Sequence, residues 1–415
     1  MTNGEGSFSR GKFVEELDKT FGEGNYTLST DGSTLTIDGK DYETGLPGKW
    51  SNAEKTAMTS NNITEVTGND IANANLKDET KIKAVIKDED NAQIPIPVDA
   101  EYVEGKEKTG VVIKYKDSEF VWVPVQNAIY ESSKDDKLPK ASLTGSLTAG
   151  HDYTPMAINT GTAEEPVYKG LLYSYDATNG AGAYLKYASG SPYQGSTSEY
   201  REPAYLSGSS FDDNTEYGKK FSSDDMQRSY KSMVESVAKY GGFFVGRYET
   251  SINETTSKAQ SVADVRPSNA SDTATNRWYG LYQKQKEFTE STDKMQSEMI
   301  WGSQYDAMLN WAVTGADKSH VTSSSNATHN STYAATTIRT RTTTENDTAT
   351  GLDRINNIYD LEGNLYEWTQ EACITGNRVG RGGRYNYSYS PSGRCIDSPD
   401  NTYVISGSRL SLYIK

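Results

Sequence analysis

The stretch NNIYDLEGNLYEWTQEA (356–372), followed by RVGRGGRYNYSYS (378–390), SGRCIDSPDNTY (392–403) and ISGSRLSLYIK (405–415), decides how this chain is read. The first and last segments alternate aromatic and aliphatic residues with polar ones and predict strands. The two between consist largely of Gly, Ser, Tyr, Asn and Asp and predict loops. Their composition suits a contact surface, because Tyr offers a large rigid area at small entropic cost while Ser, Gly and Asn add adaptable hydrogen bonds. Tyr385, Tyr387, Tyr389 and Tyr403 stand in Gly/Ser/Asn surroundings that give them nothing apolar to pack on. A cluster of exposed aromatics marks a place for a partner.

Upstream of these segments the texture is β-rich from Lys81, with the runs IKAVI, QIPIPV, GVVIKY and EFVWVPV. The last, Glu119 to Val125, is nearly continuous apolar sequence and predicts a buried central strand. A helix is expected from Ser223 and Asp224 to Gly241-Gly242, with Met226, Tyr230, Met233, Val234 and Val237 on one face. GFFVGRYE after it reads as a strand. A second helix is expected from Ser303, carrying Ala307, Met308, Trp311 and Ala312. Trp122, Trp311 and Trp368 lie in apolar runs and read as core. The Ser/Thr/Asn/Ala-rich stretches 251–276 and 314–350 read as long loops.

At the other end, Phe13, Val14, Leu17 and Phe21 form one apolar stripe on a short helix ending at Gly22. YTLST and TLTID around Asp31-Gly32 read as a hairpin. Residues 46–89 hold few apolar anchors before the β-rich runs begin and read as a linker or weakly packed lobe.

Composition limits the partners. The 415 residues carry a net charge of −15, and only 34% are hydrophobic, a share that includes 29 Tyr. Mean hydropathy is −0.74. Nucleic acid and anionic membrane are poor partners for such a chain, since phosphate binding needs clustered Lys and Arg and no cluster occurs. No run of 18 apolar residues and no signal-peptide pattern is present, which predicts a chain without a membrane span as written. Cys373 and Cys395 are too few for a disulfide framework and sit at no metal-ligand spacing; whether they pair is left open. His151, His320 and His329 fall in Ser/Thr/Gly-rich stretches and read as exposed loop residues.

The closing segments resemble the formylglycine-generating-enzyme and sulfatase-modifying branch of the C-type lectin fold. Its pattern is a Gly-Asn-hydrophobic-Trp-Glu-Trp strand, an Arg-Gly-Gly turn and a closing Gly-Phe-Arg strand. Gly363-Asn364-Leu365-Tyr366-Glu367-Trp368, Arg381-Gly382-Gly383 and Gly407-Ser408-Arg409-Leu410 stand in that order here. EFVWVPV, GGFFVGRYETS and MIWGSQYDAMLNWA resemble earlier parts of the same domain, so the likeness covers 90–415. The fold implied is α+β, a C-type lectin fold with long loop insertions behind a small helix-plus-hairpin region at 1–45.

The enzymes of that branch hold copper with two cysteines a few residues apart before the closing strand. Here only Cys395 lies there, with Ser390 five residues earlier and Cys373 in another segment. No local dithiolate site is implied, and the expectation is binding without catalysis, with a copper oxidase as the alternative. The resemblance is better to variable proteins of diversity-generating retroelements, in which adenine-directed mutagenesis rewrites codons between a retained Arg-Gly-Gly and a retained Gly-X-Arg. Asn-type codons mutated at adenines yield Tyr, Ser, Asp, Thr, Ile, Gly or Cys, the types that fill 378–408. The implied ligand-binding positions are Gly380, Arg384, Asn386, Tyr387, Tyr389, Cys395, Ile396, Ser398, Asn401, Tyr403, Val404 and Ile405. The ligand would be a protein or carbohydrate on another cell or in the environment.

Asp360, Glu362, Asn364 and Glu367 gather hard oxygen atoms. A structural role is the favoured reading; Asn364 and Glu367 also match positions that members of the resembled family use for calcium, which would be the one metal and no other cofactor. The N-terminal helix and hairpin look like the part that follows the hydrophobic stem of type IV pilin-like proteins of Gram-positive bacteria. That likeness implies display on a pilus, cell surface or phage particle, with assembly through a stem this chain lacks. A purely structural pilin or fibre subunit is the remaining alternative.

Overall fold

The computed structural model describes residues 10–28, 34–43, 49–125, 156–159, 168–172, 200–201, 229, 232–233, 235–237, 239–269, 276–312, 354–361, 364–373, 377–384, 394–400 and 405–415. The architecture mixes helix and sheet, with most strands in several small antiparallel sheets, and among the described residues no sheet closes into a barrel. Chain contacts separate two units, Met1–Asn62 and Ile63–Lys415.

In the first unit α1 (Arg10–Phe21) stops at Gly22, whose φ of +82° lies in the left-handed region that glycine adopts without strain. Of its expected stripe, Leu17 is buried and Phe21 is exposed. β1 (Tyr26–Leu28), β2 (Thr34–Ile37) and β3 (Lys40–Glu43) form an antiparallel meander with Leu28 opposite Leu35. The turn expected at Asp31-Gly32 lies outside the described residues. α2 (Asn52–Ser60) stands within the stretch read as a linker. A local signal makes it: Ser51 Oγ accepts from the Glu54 N–H while the Glu54 carboxylate accepts from the Ser51 N–H, a capping box.

The second unit opens with the antiparallel sheet of β4 (Thr64–Val66), β5 (Ile82–Lys87) and β6 (Gln93–Pro97). β7 (Glu101–Glu104), β8 (Val112–Tyr115) and β9 (Ser118–Pro124) begin the largest sheet. Two short ladders follow in the chain, β10 (Met156–Asn159) with β11 (Tyr168–Leu172) and, later, β14 (Ser251–Ile252) with β15 (Ala259–Gln260). β12 (Tyr200–Arg201) is the outer strand of another sheet. The largest sheet is completed by β13 (Gly242–Gly246), β16 (Met295–Met299) and the closing strand β23 (Leu410–Ile414), in the order β16-β23-β13-β9-β8-β7. β17 (Arg354–Ile355) and β18 (Ile358–Tyr359) make a small hairpin. β19 (Tyr366–Cys373), β20 (Arg378–Arg381) and β21 (Arg394–Asp397) extend from β12, and β22 (Ser406–Ser408) runs parallel to β19 before β23 (Leu410–Ile414).

The apolar run at β9 does what its composition demands. Phe120, Val121, Trp122 and Val123 are buried on an interior strand, paired on one side with Phe243–Val245 of β13. Val121, Val123, Phe243, Trp278, Trp301, Met308 and Trp368 belong to one hydrophobic cluster. Full burial of a large apolar side chain stabilises by roughly 1.5–3 kcal/mol. Trp122 and Trp311 are buried as well. Helical residues between 229 and 240 bury Met233 and Val237 and give way at Gly241, φ +84°; Met226, Tyr230 and Val234 fall outside the described residues. α4 runs Gly302–Ala312 over the sequence expected to be helical, with Ala307, Met308, Trp311 and Ala312 buried.

Three differences from the sequence reading have physical causes. α3 (Trp278–Lys286) has no single apolar stripe because its first five residues are all buried, and periodicity cannot mark a helix covered on every side. Parts of the two segments read as loops are strands, β20 and β21, where cross-strand pairing such as Val379 opposite Ile396 overrides the loop-forming composition around them. The 251–276 stretch contains the β14–β15 hairpin, and 314–350 lies outside the described residues. No helix among the described residues is long and apolar enough to cross a membrane.

Candidate functional site

The closing sheet arranges two kinds of residue side by side. Glu367 on β19 and Arg409, between β22 and β23, are fully buried, and the Arg409 guanidinium donates to both carboxylate oxygens of Glu367. It also donates to the carbonyls of Gly246 (2.8 Å) and Tyr359 (2.7 Å). One side chain thus joins β19, the end of β13 and β18. Arg381 is likewise buried, 3.1 Å from Glu371 Oε2, with its guanidinium 4.7 Å from the Tyr305 ring centre. Arg378 lies over Trp278 at 4.3 Å. A buried charge is tolerated only when paired and hydrogen-bonded, so these arginines fix one arrangement of strands.

Asn364 and Glu367 act within this framework. Asn364 Nδ2 donates to Glu249 Oε2 (2.5 Å), and the Leu365 N–H donates to Glu249 Oε1 (3.0 Å). Both oxygens of Glu367 face Arg409, and among the described residues no group of three His, Cys, Asp or Glu is arranged to hold a metal ion. Calcium needs six to eight oxygens turned to one point, several of them from the backbone, and Glu362 lies outside the described residues. Glu249 itself was not singled out in the sequence, although charged residues in the run GRYETS, straight after an apolar strand, were a signal for a buried charge. Burial, with Asp360 and Glu367 close by, pushes the Glu249 carboxyl well above the ordinary carboxylate range.

The glycines of the site differ in the space they leave. Gly382 has φ +76°, and a Cβ there would stand 2.9 Å from the Leu361 carbonyl oxygen and 3.0 Å from the Tyr305 hydroxyl. At Gly407 a Cβ would meet the buried Leu365 side chain at 2.6 Å. Gly380 is not so confined: its nearest neighbour would be Tyr366 Cβ at 3.4 Å, followed by Cys395 at 3.8 Å, which is ordinary van der Waals contact.

Gly380 pairs with Cys395 across β20 and β21, and the same ladder sets Arg378 opposite Asp397. Cys395 and Asp397 are half-buried, as are Ser398 and Ile405. Arg384, also half-buried, holds its guanidinium 5.5 Å from the centre of the Tyr366 ring. Ser398 caps its own turn, its N–H donating to Asp397 Oδ1 and its Oγ accepting from the Asp400 N–H. The Ile405 carbonyl accepts from the Tyr366 N–H. The structure therefore brings Gly380, Arg384 and Cys395 together around Tyr366, with Ile405 bonded to the same residue. Ile396 stands opposite Val379 in the ladder, but its side chain lies outside the described set, as do Asn386, Tyr387, Tyr389, Asn401, Tyr403 and Val404.

No family model, curated protein or solved structure matches the chain.

Proposed function

We propose that this chain is a surface-displayed ligand-binding protein with a C-type lectin fold, whose positions between Arg378 and Ser408 are diversified by a retroelement and which binds without catalysis. The observation that carries the reading is the division between glycines. Gly382 and Gly407, in the two retained motifs of the resembled proteins, have no room for a Cβ, whereas at Gly380, one of the expected variable positions, a Cβ would sit at ordinary van der Waals distance from its neighbours. A framework that must stay constant and positions free to vary are what diversification requires, and the buried Glu367–Arg409 pair supplies the constancy.

Binding follows from such an arrangement by ordinary means. Side chains presented from strands already ordered by folding lose little further entropy on contact, so aromatic burial and hydrogen bonds pass into affinity. The ligand is a protein or a carbohydrate outside the cell, and the 1–45 region belongs to a pilin-like stalk.

The test is the DNA beside the gene. A near-copy of the codons for 378–408 that differs at adenines, next to a reverse-transcriptase gene, is the expected finding. Invariant codons across sibling isolates and no such copy would overturn diversification and favour a structural subunit.

A further inference from the structure

The connection between β13 and β14, Arg247-Tyr248-Glu249-Thr250, belongs to neither strand, yet all four residues are buried. A buried connection has to bond its polar groups to protein, because water does not reach them. The Arg247 N–H donates to the Glu119 carbonyl (3.0 Å), the Arg247 carbonyl accepts from the Tyr359 N–H (2.9 Å), and the Thr250 N–H donates to the Ser408 carbonyl (2.7 Å). Gln285 Nε2 donates to the hydroxyls of both Thr250 and Ser408. The Glu249 carboxyl oxygens accept from Asn364 Nδ2 and from the Leu365 N–H. Two adjacent residues, Glu249 and Thr250, therefore bond the 363–368 motif and the 407–410 motif at once.

Tyr366 follows directly on the two residues that Glu249 holds. Its N–H donates to the Ile405 carbonyl (2.8 Å), and the Arg384 guanidinium lies over its ring. Its Cβ is also the atom that a side chain at Gly380 would meet first. The two Glu249 bonds and the Ile405 carbonyl bond use no side chain between 378 and 408. Replacing side chains in that stretch leaves them in place.

We propose that Glu249 is a positioning residue for the candidate binding site: by holding Asn364 and Leu365 it fixes Tyr366, around which Gly380, Arg384 and Cys395 gather. Its role in ligand binding rests on the reading of those residues as the site. Glu249 touches no variable position and acts only through the backbone of the 363–368 motif. The site thus keeps a constant floor supplied from outside the diversified stretch, while the residues around that floor change.

Amide hydrogen exchange of the full chain, read residue by residue, tests this. Glu249→Ala should raise exchange roughly tenfold at Leu365, Tyr366, Gly380 and Cys395, the effect on local opening of losing hydrogen bonds to an acidic side chain. Val85 and Ile86 of β5 should be unchanged. Glu249→Gln keeps an acceptor oxygen and the size of the side chain, and should restore the exchange of the unmodified protein at the same positions. An equal rise in every strand, a rise confined to Leu365, or no rescue by glutamine would overturn the proposal. Should Glu249→Ala fail to fold, Glu249→Asp, whose carboxyl is withdrawn by one methylene, is read in the same way. Codon variation at 378–408 is scored separately, so failure of the exchange test leaves diversification standing, and absence of a template copy leaves the hold of Glu249 on Tyr366 standing.

Discussion

Two regions of the closing sheet differ in what a substitution would meet. Around Glu367, Arg381, Gly382, Gly407 and Arg409 every atom is buried and every charge is held by an opposite one. Around Gly380, Arg384, Cys395 and Ser398, the last three side chains are half-buried, and a Cβ on the buried Gly380 would meet its neighbours only at van der Waals distance. They lie on adjacent strands and in part on the same one, Gly380 and Arg381 being sequence neighbours on β20. The difference is one of local space and not of exposed face: all four residues of β20 are buried, and at Gly380 a Cβ would meet its neighbours at ordinary contact distance.

The contrast breaks most severely at its charged centre. Arg409→Ala leaves Glu367 buried without a counter-charge and should cost about 3–5 kcal/mol, measured by denaturant unfolding. A loss below about 1 kcal/mol would mean that the pair does not hold the frame. Gly382→Ala comes next. With φ at +76° and a carbonyl oxygen 2.9 Å from the new Cβ, it should cost about 1–3 kcal/mol on the same scale.

Glu249 gives a pH test of the same buried region. Its folded pKa lies above the ordinary carboxylate value of 4.5, so the fold favours the protonated carboxyl. Its stabilising contribution is therefore complete below that value and is lost as pH rises through the folded pKa. Glu249→Gln removes this dependence, and its melting temperature relative to the unmodified protein should rise as pH increases above 4.5. Parallel pH profiles for the two proteins would place the titration elsewhere.

The smallest effects belong to the open positions. Gly380→Ala should shift stability by no more than about 1 kcal/mol, and Cys395→Ser or Ser398→Ala by about 0.5 kcal/mol. A loss at Gly380 as large as that at Gly382 would erase the distinction on which the functional reading stands.

Much of this frame was legible before any coordinates. The apolar run of β9, the helix at Ala307–Ala312 and the aromatic strand at Tyr366–Trp368 announce themselves by hydrophobic pattern, because burial on a regular element leaves a period in the chain. Gly382 and Gly407 were visible as motif members, though the reason no other residue fits them was not. α3 and β20 were not legible, because α3 is covered on all sides and the Gly- and Arg-rich sequence of β20 becomes a strand only through its neighbours.

The sequence by itself thus determined where apolar surface must be buried and which segments carry turn-forming and contact-forming residues, since those are properties of local composition. Only tertiary structure decided that Arg409 clasps Glu367, that Glu249 meets Leu365 from 116 positions away, and that the Thr250 N–H meets the Ser408 carbonyl. Such pairings depend on distances between residues far apart in the chain, and local preference carries no record of them until the sheets close.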